Sequence, residues 1–175
     1  MTGPAARVVV TDSNVLVNLM HVSRLGLLGS IPGHEFVVPD HVRKEITNAA
    51  QLSLLDAAIG AGTIKLESLT DLDALATFAE LIVHLGRGEA ACIAIAAKRG
   101  WWIASDEKRR FRREAETRVG GDRILGTVEV FVLAIEAGLI TVEQADADKV
   151  ALESRKFKMS FTSFRELVKP PGTAA

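Results

Sequence analysis

The sequence predicts an α/β fold, with a central, mostly parallel sheet flanked by helices. Three observations predict it. Short apolar runs alternate with helical runs along the chain. Two of the apolar runs, Arg7-Val8-Val9-Val10-Thr11 and Trp101-Trp102-Ile103-Ala104-Ser105, read as buried strands. Each runs directly into an aspartate, Asp12 and Asp106. In an open parallel sheet both carboxylates arrive at one carboxyl edge, where such folds place their ligands.

Local signals justify each element in turn. After the first strand, residues 13–20 and 23–28 read as short helices, and Pro32-Gly33 breaks the pattern ahead of a strand at 35–38. Pro39 and Asp40 open another helix, in which Val42 and Ile46 share one face and leave Glu45 on or beside another. Residues 63–69 alternate apolar and polar, as a half-buried edge strand does. A long helix over about 71–84 leads into Gly86-Arg87-Gly88, and a second, apolar helix runs from near Glu89 to a stop before Gly100. Beyond Asp106 come a basic helix, a short strand at 123–125, a helix over about 127–137 closed by Gly138, and a C-terminal helical pair. No repeat, low-complexity linker or composition shift marks a second domain. Residues 1–140 are expected to form the site-bearing domain and 141–175 a helical extension packed on it.

Bulk properties narrow the function classes. A chain of 175 residues that is 48% hydrophobic can form one domain, burying roughly 70% of its unfolded surface without disulfide or metal. The lone Cys92 sits among Ala90, Ala91, Ile93 and Ala94, which suggests a small buried hydrophobe in a reducing compartment. Residues 1–6 carry no basic, apolar leader, and charges interrupt the later apolar runs, so a cytoplasmic protein without membrane insertion is expected. A net charge of −1 gives no overall attraction to nucleic acid, so any such binding needs a local basic surface. Lys108, Arg109, Arg110, Arg112 and Arg113, grouped around Phe111 just after Asp106, supply a candidate; a solvated helix face reads the same way. His21, His34, His41 and His84 lack the close spacing of a zinc site.

Four acids are candidates for chemistry: Asp12, Glu45, Glu89 and Asp106. Taken singly, each has an ordinary role. Asp12 and Asp106 sit where a strand gives way to a helix and can cap it, Glu89 complements a helix's first turn, and Glu45 can be exposed. Jointly they imply more, because two carboxylates about 4 Å apart repel by roughly 4 kcal/mol at an effective dielectric of about 20. A converging group needs a cation or raised pKa values. An all-oxygen set suits a hard ion such as Mg2+ or Mn2+.

These residues resemble the PIN-domain ribonucleases, a family that includes the VapC-like toxins of bacterial toxin–antitoxin pairs. Val8-Val9-Val10-Thr11-Asp12-Ser13-Asn14 is similar to the family's opening strand, catalytic aspartate and polar pair. The likeness continues through Phe36-Val37-Val38-Pro39 with Glu45, Gly86-Arg87-Gly88-Glu89-Ala90-Ala91, and Ser105-Asp106. Gly126-Thr127, Gly138-Leu139-Ile140 and the stretch from Lys156 to Val168 are similar to one prokaryotic PIN subgroup. Two departures stand out: Trp101-Trp102 replaces aliphatic residues, and Glu107 follows Asp106 as a second candidate ligand, with Asp122 and Glu129 in reserve.

The resemblance implies a single PIN-like, Rossmann-like domain that hydrolyses RNA with one or two Mg2+ or Mn2+ ions held by Asp12, Glu45, Glu89 and Asp106. Ser13 and Asn14 would orient a carboxylate or a water. Arg87, Lys108, Arg109, Arg112 and Arg113 would meet substrate phosphates. A small antitoxin protein and a second copy of the chain are the implied partners. Two rival readings keep the α/β fold. A phosphate-transfer enzyme or receiver-type module wants an aspartate two residues after the first, where Asn14 stands, or a lysine after a later strand, where Gly126-Thr127 stands. A non-catalytic binding module with an acidic metal pocket remains the other alternative.

Overall fold

The structure is a computed structural model that describes residues 5–170. The outermost parts of the two expected segments, residues 1–4 and 171–175, lie outside the described residues. Five strands, β1 (Arg7–Thr11), β2 (His34–Pro39), β3 (Lys65–Glu67), β4 (Trp102–Ala104) and β5 (Ile124–Leu125), form one sheet in the order β3-β2-β1-β4-β5. Every neighbouring pair is parallel. Parallel neighbours need a crossover, and helices supply it. They are α1 (Ser13–His21), α2 (Asp40–Glu45), α3 (Ala49–Gly60), α4 (Leu72–Leu81), α5 (Arg87–Arg99), α6 (Arg109–Arg118), α7 (Thr127–Glu136) and α8 (Val142–Ser154).

The chain moves outward from β1 through β2 to β3, then crosses back to lay β4 on the other side of β1. The order therefore reverses between β1 and β4, and the two strands' connections leave the sheet in opposite directions, opening a crevice at their carboxyl ends. Register aligns those ends. Thr11 is level with Ala104, and the Asp12 N–H donates to the Ala104 carbonyl at 2.9 Å.

Burial explains the strand compositions. Val9, Val10, Val38, Ile103 and Ala104 are fully buried, as strands covered on both faces require. Helices α1, α7 and α8 pack together, while α5 packs with α4 and α6. Helix α5 is the innermost, with Ala90 through Ala96 all buried, and its run of small residues lets it approach the sheet closely. Cys92 is free and lies within that run, where burial holds its thiol well above the usual range.

Three elements differ from the sequence reading. Residues 25–29 form a 3-10 turn where a short helix is expected, because Gly26 and Gly29 leave too few good helix formers to extend it. Helix α3 is not announced by the sequence. Its apolar residues ring the axis, with Leu55 buried and Leu54 half exposed, so no stripe marks it; Asn48 caps it by accepting from the Gln51 N–H at 3.1 Å. The expected C-terminal helical pair is one helix, α8, followed by a 3-10 turn at Phe164–Glu166. Asp146 on α8 accepts from Ser163 Oγ at 2.7 Å and the Phe164 N–H at 2.8 Å, which replaces helical bonds as the organising contact. The fully buried Phe164 ring then packs 5.4 Å from Phe131 of α7. Among the described residues, no helix is long and apolar enough to cross a membrane.

Phe164→Ala is expected to destabilise the chain by about 3–5 kcal/mol, the usual cost of emptying a buried phenylalanine site. Urea unfolding should show a lowered midpoint, an unchanged slope and one transition. A separate early transition would show the tail unfolding independently.

Candidate active site

Asp12 ends β1 and caps α1. Its Oδ1 accepts from the Ser13 N–H at 2.8 Å, and its Oδ2 accepts from Ser105 Oγ at 3.0 Å and Asn14 Nδ2 at 3.2 Å. Asn14 ties the ends of β1 and β4 together: its Oδ1 accepts from the Asp106 N–H at 3.1 Å, and its Nδ2 also lies 3.1 Å from Glu107 Oε1. Asp12 is 2% exposed. Burial outweighs its hydrogen bonds and, with the nearby charges of Glu89 and Glu107, pushes its carboxyl up to about 6.

Glu45 and Glu89 meet at the start of α5. Glu45 closes α2 and accepts from the Gly88 N–H at 2.7 Å; Glu89 folds back to accept from the Gly86 N–H at 3.0 Å. Gly88 has a steric reason to be glycine, since a Cβ there would overlap the Glu45 carboxylate. Burial raises the Glu89 carboxyl above its ordinary range, and the charges of Glu107 and Glu45 add to the rise.

Asp106 faces a different neighbour from the one its partner acids face. Its Oδ1 accepts from the Thr127 N–H at 2.7 Å, and its Oδ2 accepts from Thr127 Oγ1 and from Asn18 Nδ2, the latter at 3.1 Å. This carboxylate therefore caps α7, and Gly126 permits the approach, because a Cβ there would sit 2.7 Å from Asp106 Oδ1. Burial raises the Asp106 carboxyl, with Glu129 as the contributing charge.

The structure thus groups the acids in two. The charges of Glu89 and Glu107 reach Asp12 and those of Glu107 and Glu45 reach Glu89, whereas Asp106 and Glu129 form an adjoining pair joined to the first group through Asn14. Asp122 precedes β5, so it is exposed at the opposite, amino edge of the sheet. Among the described residues no three His, Cys, Asp or Glu side chains already form a ligand cage. An ion here would have to draw the side chains inward.

Ser105, Asn18 and Thr127 support the site without having been singled out for that role from the sequence. Asn18 was legible, since it follows Asn14 by four residues on the same helix face. The structure gives Ser13 a backbone role through its N–H. Of the cations, Arg87 opens α5 with its guanidinium 5.6 Å from the Phe78 ring, Lys108 and Arg109 begin α6, and Arg112 pairs with Glu116 at 2.7 Å.

Two outcomes follow from this geometry. A carboxyl whose folded pKa is about 6, against an ordinary value of about 4, costs stability above the higher value and nothing below the lower. In chelator, Asp12→Asn should raise the thermal midpoint at pH 8, by at most about 3 kcal/mol of stability, with the gain fading by about pH 4. A gain that persists unchanged at low pH would contradict the assigned cause. Gly88→Ala should displace the Glu45 carboxylate from the Gly88 N–H and cost about 1–3 kcal/mol for the bond left unmade, read by urea unfolding, while far-ultraviolet dichroism stays as in the parent.

A family model described as a PIN domain matches residues 8–169. No curated protein and no solved structure matches the chain. The matched span contains all of the sheet but Arg7 and every acid of the candidate site, and the chain belongs to the PIN-domain family, a nuclease-type fold.

Proposed function

We propose that the chain is a divalent-metal-dependent endoribonuclease that hydrolyses RNA phosphodiester bonds in the cytoplasm, as the toxin of a toxin–antitoxin pair. One observation carries the metal-dependent reading. Asp12, Glu45, Glu89, Asp106 and Glu107 crowd the carboxyl edge, yet among the described residues none of them pairs with a lysine, arginine or histidine. Negative charge gathered without a counter-charge is the electrostatic form of a cation site. The donor set is all oxygen, which fits Mg2+ or Mn2+ and not a soft metal.

Asp12, Glu45, Glu89 and Asp106 would hold the ion or ions, with Glu107 added because it faces Asp12 and Glu89. When bound, the metal supplies Lewis acidity to a phosphoryl oxygen and lowers the pKa of a water. The chain's own part is positioning. Ser105 and Asn14 fix the Asp12 carboxylate, Asn14 also holds Glu107, and Thr127 with Asn18 fixes Asp106. Arg87 and the basic start of α6 would attract the RNA backbone. The toxin role, the small antitoxin and a homodimer rest on the likeness to the VapC-like subgroup.

A second reading has its own supporting observation: the acids also satisfy helix N-termini, which a non-catalytic binding module would equally need. Cleavage separates the two. End-labelled RNA incubated with Mg2+ should be cut by the parent protein and spared in chelator. Asp12→Asn should lose at least about 100-fold in rate, and Asn14→Ala about 10- to 100-fold. Cleavage that Asp12→Asn leaves intact would exclude this site as the source.

A further inference from the structure

Cutting a phosphodiester takes a proton donor as well as an attacking water. The ester oxygen that leaves departs as an alkoxide unless a group beside it supplies a proton, and a positioned donor is worth roughly 100- to 10,000-fold in rate. The acids proposed to hold the ion bind it in their ionised form, so they carry no proton to give. Lysine and arginine keep their protons at neutral pH. The donor has to be another group that reaches the same crevice.

His84 meets that requirement. A hollow of about 420 Å3 opens against Glu89 and Glu107, and His84 lines it from the turn that follows α4. Among the described residues that line this hollow His84 is the one imidazole, the side-chain type that exchanges a proton between about pH 5 and 8. The ring is partly exposed and held at one end: Nε2 lies 3.3 Å from Glu114 Oε1 of α6. The main chain is held too, because Arg110 donates to the His84 carbonyl at 3.3 Å. Glu114 is itself steadied by Arg118, which also engages Glu80 of α4. A carboxylate at one ring nitrogen sets the ring's tautomer and orientation. Nδ1 is the position left open, with no partner among the described residues. The charged groups that share the ring's two hollows are of both signs: Glu89, Glu107 and Glu114, with Arg110, Arg113 and, at the start of α6, Lys108 and Arg109.

We propose that His84 is a catalytic residue, giving from Nδ1 the proton that the leaving oxygen takes as the phosphodiester is cut, and that Glu114 is the positioning residue behind it. The role rests on the nuclease reading, which supplies the reaction. In the step, water adds to phosphorus and its proton passes to solvent. The bond from phosphorus to the leaving oxygen breaks, its electron pair stays on that oxygen, and the His84 proton completes a hydroxyl. Solvent then returns a proton to the ring.

Replacing the leaving atom tests it. Single-stranded RNA is cut with Mn2+ at saturating protein in single turnover, the product termini identify the oxygen that leaves, and a second strand carries sulfur at that one position. Sulfur departs as a thiolate and needs no proton. His84→Gln should cut the oxygen strand about 100-fold or more slowly and the sulfur strand at the parent's rate, which also shows that the variant is folded. The parent's rate on the oxygen strand should fall on the alkaline side, and His84→Gln should lack that fall. Glu114→Gln should slow the oxygen strand alone, by a smaller factor. Equal losses of His84→Gln on the two strands would overturn the proposal, since a structural role slows both alike. An unchanged rate on the oxygen strand, or an alkaline fall that the variant keeps, would overturn it as well. The two readings fail in different ways. A parent protein that cuts neither strand loses the nuclease reading and the histidine's role together, whereas a parent that cuts both, with equal losses in His84→Gln, loses the histidine's role alone.

Discussion

Three helix N-termini converge on one edge of the sheet, and a carboxylate caps each. Asp12 serves α1, Glu45 and Glu89 serve α5, and Asp106 serves α7. A helix N-terminus carries unpaired N–H groups and about half a positive charge, worth roughly 0.3–1 kcal/mol to a nearby anion and up to about 2 kcal/mol when partly buried. Two carboxylates about 4 Å apart repel by roughly 4 kcal/mol at an effective dielectric of about 20. The helix ends therefore hold the acids in place without neutralising them. Burial, with a smaller part from neighbouring acids, raises the carboxyls of Asp12, Glu89 and Asp106, a cost that a divalent ion is suited to offset.

Topology makes the convergence possible. With β1 and β4 adjacent and their connections diverging, the residues just past each strand face a shared crevice, and Asn14 joins them across it. The glycines at 88 and 126 complete the arrangement, because each lies where an incoming carboxylate meets a helix start too closely for a Cβ. The contacts that cap the helices are thus the same ones that hold the acids at this edge. The basic wall of α6 begins immediately beside them, so opposite charge patterns lie next to each other within one short stretch of chain.

Much of this was legible in the sequence, for identifiable reasons. Strands buried on both faces leave continuous apolar runs, and the aspartates that end two of them mark the edge where the site forms. Edge strand β3 showed itself by alternation. What stayed hidden depended on contacts distant in sequence. Asp106 and Glu107 are adjacent in the chain, and only the positions of Thr127 and Asn18 determine which one turns toward α7 and which toward Asp12. Helix α3 escaped because its apolar residues form no stripe. The tail's 3-10 turn depends on Asp146, whose hydrogen bonds to residues 163 and 164 have no local signature.

The proposed function requires these separated carboxylates to act together on a divalent cation. Crystals soaked in Mn2+ and measured at the manganese absorption edge would reveal such an ion. The expected map has an anomalous peak in contact with Asp12 and with Glu89 or Glu107. A map with no peak in that crevice at millimolar Mn2+, or with its peak at some other surface, would contradict it.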